Sequence, residues 1–128
     1  MAAKIVHFEV PFDDGDRART FYREAFGWQV DEMPEMDYTS AVTGPVGENG
    51  MPTEPGYING GMFKRDNDSP KSPVIVLDVP DIDAALAQIE KLGGATVAPR
   101  TPVGAMGFAA YFTDTEGNTI GLWESAPS

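Results

Sequence analysis

One histidine occurs in the chain, His7, and two residues on stands a carboxylate, Glu9. An imidazole can take or give a proton near neutral pH, and it can ligate a metal. A carboxylate beside it can orient it, share a proton with it or join it on an ion. The surrounding stretch, Ile5-Val6-His7-Phe8-Glu9-Val10, is rich in β-branched and aromatic residues and reads as a strand ended by Pro11. On a strand, side chains two apart share a face, so His7 and Glu9 point one way and Val6, Phe8 and Val10 the other. The pair is either half of a metal site or the polar lining of a pocket.

The elements that must hold this pair follow in order. Asp13 or Asp14 caps a helix, and Asp16 suits its first turn. The acids of Pro11–Asp16 do not have the spacing of a calcium loop. Ala18, Phe21, Tyr22, Ala25 and Phe26 form one apolar helical face that predicts core packing, and Gly27 stops the helix. Strands are expected at Trp28–Glu32 and Tyr38–Thr43. Gly44–Gly56 holds four Gly and three Pro and reads as a long loop, a frequent place for a lid or binding segment. Tyr57–Phe63 reads as a strand with Gly60-Gly61 at its centre, a mark of a bulge or a close approach. Residues 65–73 read as a linker. Val74–Val79 is a strong strand, and Pro80-Asp81 opens a helix with Ile82, Ala85, Leu86, Ile89 and Leu92 on one face, ended by Gly93-Gly94. Strands at Ala95–Ala98, Gly107–Thr113 and Thr119–Glu124 follow, the last two joined by the turn Asp114–Asn118.

Composition narrows the function classes. At 128 residues the chain is one domain, with 41% hydrophobic and 23% charged residues. No cysteine is present, which removes disulfides, thiolate nucleophiles and Cys-ligated zinc. The net charge of -11 repels phosphate backbones and anionic lipid, so neither nucleic acid nor membrane is an expected partner. No apolar run reaches a membrane-spanning length, and the N-terminus lacks a signal-peptide core, so a cytoplasmic protein is expected.

The order strand, helix, strand, strand, strand occurs twice. His7–Pro11 lies on Val76–Pro80 at an offset of 69 (76 − 7), and Phe26-Gly27 on Leu92-Gly93 at 66 (92 − 26). Gly56–Gly60 lies on Gly117–Gly121 at 61 (117 − 56). This predicts an α+β fold: two tandem βαβββ modules, 4–64 and 74–124 about the linker, within a single domain 1–128. Their paired curved mixed sheets would each carry a helix on the convex face and enclose a cleft for a small ligand.

With Ala18–Trp28 (ARTFYREAFGW) and Asp114–Asn118 (DTEGN), the layout resembles the vicinal oxygen chelate superfamily, which includes glyoxalase I, extradiol dioxygenases and bleomycin- and fosfomycin-resistance proteins. The resemblance covers essentially the whole chain. Those motifs are specific for the fold and not for a reaction. It implies the glyoxalase/bleomycin resistance/dioxygenase fold, a homodimer, and in metal-dependent members four ligands, one from the first and one from the last strand of each module. Carried over, these fall at His7, Gly60, Val76 and Gly121, and only His7 has a donor atom. The expectation is therefore a glyoxalase-like protein with no cofactor, binding or transforming a small molecule. The lining residues would be His7, Glu9, Tyr57, Gly60, Met62, Val76, Asp78, Tyr111, Gly121 and Trp123, with Tyr38 near them. His7 and Glu9 are the catalytic candidates. Two other readings stand beside it. One is a metal-dependent lyase, isomerase or dioxygenase with a divalent ion in a rearranged site at His7 and Glu9, of the lactoylglutathione lyase or dioxygenase type. The other is a dimerising interaction module with a vestigial cleft.

Overall fold

The computed structural model describes residues Ala2–Pro127, in the order β1 (Ile5–Phe12), α1 (Gly15–Phe26), β2 (Gln29–Met33), a 3-10 turn (Pro34–Met36), β3 (Tyr38–Val42), β4 (Gly60–Lys64), β5 (Val74–Asp78), α2 (Ile82–Lys91), β6 (Ala95–Val103), β7 (Gly107–Thr113) and β8 (Thr119–Ser125). The fold is α+β, and each βαβββ set builds its own four-stranded run of mixed sheet. Contacts divide the chain into two compact units, His7–Pro73 and a second made of the N-terminal residues up to Val6 with Val74 onward. The 65–73 segment belongs to the first unit. It is a defined turn, with the Asp66 carboxylate accepting from the N–H groups of Asp68 and Ser69.

In the first unit the strand order is β2-β3-β4-β1, with β4 parallel to β1 and antiparallel to β3. Asp14 caps α1 by accepting from the Arg17 N–H, and Gly27 ends it at φ 72°. Only glycine takes that left-handed turn at no steric cost. The helix packs Ala18 and Tyr22 onto Val30, Ala41, Met62, Phe8, Val10 and Phe12. Phe21 and Phe26 correct the expectation of core packing: they are 57% and 64% exposed. Their rings meet Tyr22, and Phe26 also meets Trp28, at the edge of the helix rather than beneath it.

In the second unit the order is β5-β8-β7-β6, with Val76 level with Gly121 and Tyr111 level with Gly121 on its other side. Lys4 joins this unit, its carbonyl accepting from the Asp78 N–H. α2 lays Ile82 and Leu86 on Ala110, Phe112 and Leu122. Its N-terminus is held twice, by Asp81 and by the Glu124 carboxylate, which accepts from the Ile82 N–H while Arg100 grips both of its oxygens. β6 extends beyond the short strand expected, carrying Pro99 and Pro102 through register shifts at an edge, where a missing N–H is tolerated. Among the described residues, no helix is long and apolar enough to cross a membrane.

Candidate functional site

β1, β3 and β4 bring His7, Glu9 and Tyr38 together on the face of the first unit that turns away from α1. Glu9 is level with Gly61, and Gly61 with Ser40, so Glu9, Gly61 and Ser40 form one row across the sheet. Tyr38 stands two residues before Ser40 and leans across Gly61. A Cβ built on Gly61 would lie 1.9 Å from the Tyr38 hydroxyl, so only hydrogen at this position lets the phenol lie there. The Tyr38 hydroxyl donates to Glu9 Oε2 at 2.9 Å and meets His7 Nε2 at 2.9 Å.

The chemistry of this chain follows from its protons. Tyr38 has one hydroxyl proton and gives it to Glu9. His7 must then donate from Nε2, which fixes the tautomer and leaves the lone pair on Nδ1. Burial pushes the His7 pKa below the ordinary histidine value, and the nearby Glu9 charge pulls it part of the way back. His7 is therefore neutral at pH 7. Glu9 is buried at 7% exposure. A buried carboxylate needs hydrogen-bond donors, and the Tyr38 hydroxyl is one of them. The arrangement offers a neutral imidazole with a basic nitrogen, linked through a phenol to a carboxylate.

Not every expected lining residue stands on this face. Gly60 and Met62 are corrections. Met62 is fully buried in the α1 core, and a Cβ on Gly60 would strike the Phe8 carbonyl and ring on that same side. The cause is a one-residue slip in the repeat alignment, which flips a strand's faces. Continuing the β1–β4 register back from Glu9 and Gly61 sets Asn59, not Gly60, level with His7. Tyr57 holds the 44–56 loop: its hydroxyl donates to the Pro45 carbonyl and its ring fills the space over Gly44.

In the second unit, Val76, Gly121 and Tyr111 lie side by side on the face away from α2, and Asp78 and Trp123 share that face by register. The Trp123 indole donates to Ser125 Oγ.

Two site features are not legible in the sequence alone. The double glycine signals a close approach but does not say that Tyr38 is the side chain that makes it. Asn59 gave no signal at all. Its Oδ1 accepts from the Thr43 N–H at 2.7 Å and closes the neck of the long loop, while its Nδ2 is buried with no partner.

A metal centre of the kind the resemblance implies does not fit these residues. Val76 and Gly121 carry no donor, Asn59 Oδ1 is committed to Thr43, and His7 supplies one nitrogen. Among the described residues, no three His, Asp or Glu side chains group to hold an ion. Useful affinity needs three or four protein ligands.

The comparisons agree with the fold. The family model for the bleomycin resistance protein-like N-terminal region matches residues 4–44. A Vibrio splendidus 12B01 protein of the glyoxalase/bleomycin resistance protein/dioxygenase superfamily superposes at TM-score 0.62, with 12% identity, over 97% of this chain and 100% of that one. The chain has the fold of that superfamily, the vicinal oxygen chelate group. CFP32 of Mycobacterium bovis (strain ATCC BAA-935 / AF2122/97), provisionally named a glyoxylase, is 28% identical over 116 residues, 88% of this chain and 42% of that protein. The chain thus spans about two-fifths of the length of this curated relative. A variant of the Streptomyces coelicolor methylmalonyl-CoA epimerase in complex with 2-nitronate-propionyl-CoA superposes at TM-score 0.62, with 18% identity, over 99% of this chain and 100% of that one. At such identities the superposed structures speak for the fold alone.

Proposed function

We propose that this glyoxalase-like chain takes up a small organic molecule on the His7–Tyr38–Glu9 face and works without a metal ion. The observation that supports this is the hydrogen-bonded chain itself, laid over Gly61 with its imidazole nitrogen committed to a phenol. A ligand O–H or N–H can donate to Nδ1 of His7, and Met33, Val42 and Phe63, on the same face by register, give an apolar body something to lie against. Native mass spectrometry of protein purified without an affinity tag tests the reading. A retained organic mass that is lost in His7→Ala supports it, and stoichiometric Ni, Zn, Fe or Mn refutes the metal-free part.

A second reading, turnover, is favoured by the neutral state of His7. A base held uncharged at pH 7 can accept a proton from a carbon acid at Nδ1, giving imidazolium and a carbanion, while Nε2–H stays on Tyr38. Solvent deuterium appearing in a bound carbonyl compound, and absent with His7→Gln, separates turnover from binding. The exposed rings of Phe21 and Phe26 support a homodimer as the working form, which sedimentation of the untagged protein checks.

A further inference from the structure

In the first unit a cavity of about 180 Å³ opens where the start of α1 meets the end of β1, the end of β4 and the start of β3. Pockets for drug-sized ligands run to about 300–1,000 Å³, so an occupant here is small. Its charged lining is Arg19 and Lys64 against Glu32 and Asp37. Continuing the β3–β4 register sets Asp37 level with Lys64, which is itself level with Phe12. Opposite charges level with each other on a sheet stabilise it by pairing. Yet among the described residues neither Lys64 nor Asp37 makes an ion pair, and Arg19 meets Glu32 only at 4.0 Å. Asp37 is also the one non-glycine residue in the left-handed region among the described residues, at φ 51°. The Arg19 side chain is only 13% exposed; it donates to Thr39 Oγ1 at 3.1 Å and to Asp16 at 2.8 Å, and its Cζ lies 5.9 Å from the centre of the Phe12 ring. Thr39 is buried, at 1% exposure, and lines the same cavity. Its oxygen accepts from Arg19, so its own O–H is left to donate, and no acceptor for that proton occurs among the described residues. A buried hydroxyl ordinarily has one.

We propose that this cavity binds a small dipolar ion, a compound with one ammonium and one carboxylate such as a short amino acid. The site is separate from the one proposed beside His7 and does not depend on it. The guest carboxylate takes N–H donors from Arg19 and Lys64 and the spare O–H of Thr39, and its ammonium donates to Glu32 and Asp37. The side-chain charges of the lining balance, two positive against two negative. A guest with a single charge therefore meets like charge whichever sign it carries. An anion faces Glu32 and Asp37 in a protein of net charge -11, and a cation faces Arg19 and Lys64. A dipolar guest bridges the charges that the fold holds apart and brings no net charge of its own.

The test uses the full chain and three probes of similar size: β-alanine, propionate and propylamine. Binding is read by NMR from the Arg19 Nε–H and the Thr39 backbone amide. β-Alanine should move both signals saturably, with propionate and propylamine at least about tenfold weaker. Lys64→Gln and Asp37→Asn change exposed side chains, and asparagine keeps the left-handed backbone, so both variants should fold. Each should weaken β-alanine by at least about fivefold. If propionate or propylamine binds as tightly as β-alanine, the site reads one charge and the dipolar assignment is overturned. If β-alanine leaves Arg19 and Thr39 unmoved, moves only the ring signals of His7, or binds both variants as tightly as the parent, the cavity is not its site and the proposal fails.

Discussion

Replacing Gly61 by alanine is the sharpest perturbation of the site, because it adds one methyl group and no polarity. That methyl would lie 1.9 Å from the Tyr38 hydroxyl oxygen and 2.0 Å from Cζ, so the ring has to move off the row. Tyr38 then loses its bond to the Glu9 carboxylate and its bond to His7. A hydrogen bond to a charged group contributes about 1.5–3 kcal/mol and a neutral one about 1 kcal/mol. The lower backbone entropy of alanine in the unfolded chain returns about 0.4–1 kcal/mol. The expected net loss is about 2 kcal/mol, read as a fall in the urea midpoint with an unchanged slope. In a Tyr38→Ala background the clash partner is gone, and Gly61→Ala should cost less than about 0.5 kcal/mol. A Gly61→Ala protein as stable as the parent, with the His7 ring signals unmoved, would refute the placement of Tyr38.

Other consequences are as direct. His7 has a folded pKa below the ordinary 6.5, so folding stability is complete above that pH. As pH falls below about 6.5 the unfolded chain takes a proton that the folded chain declines, and stability declines until pH passes the folded value. Denaturation curves of His7→Gln should lack that slope. The lowered carboxyls of Asp66, Asp114 and Glu124 leave a separate loss below their ordinary values of 3.8 to 4.5. Met62→Ala should cost about 3 kcal/mol in urea titrations, since the side chain is fully buried, whereas Phe26→Ala, 64% exposed, should cost under about 1 kcal/mol. Asn59→Ala strands the Thr43 N–H at the loop neck; a loss of about 1–2 kcal/mol and faster amide exchange at Thr43 are expected.

Most of the fold is legible because each element carries its own punctuation. Asp14 and Gly27 bound α1, Asp81 opens α2, and the alternation of β7 sets its two faces without help from distant residues. Phe21 and Phe26 mislead for a plain reason: helical period tells which residues share a side, not how wide a strip the sheet covers. The site is harder. Strand alternation pairs His7 with Glu9, and the double glycine marks a close approach, but which side chain approaches depends on the β3–β4 register, which joins Ser40 to Gly61 across 21 positions (61 − 40) and is invisible locally. The β1–β4 register sets Asn59 level with His7, one residue before the Gly60 that the internal repeat points to.

The central claim is that His7 serves a phenol–carboxylate chain and not an ion. Titrating the metal-stripped protein with Zn, Ni and Mn while following the ring nitrogens of His7 tests it most directly. The claim predicts a neutral Nε2–H imidazole whose Nε2–H signal persists through a stoichiometric addition of each metal. Saturable loss of that proton at one equivalent, with the metal retained on dialysis, would contradict it.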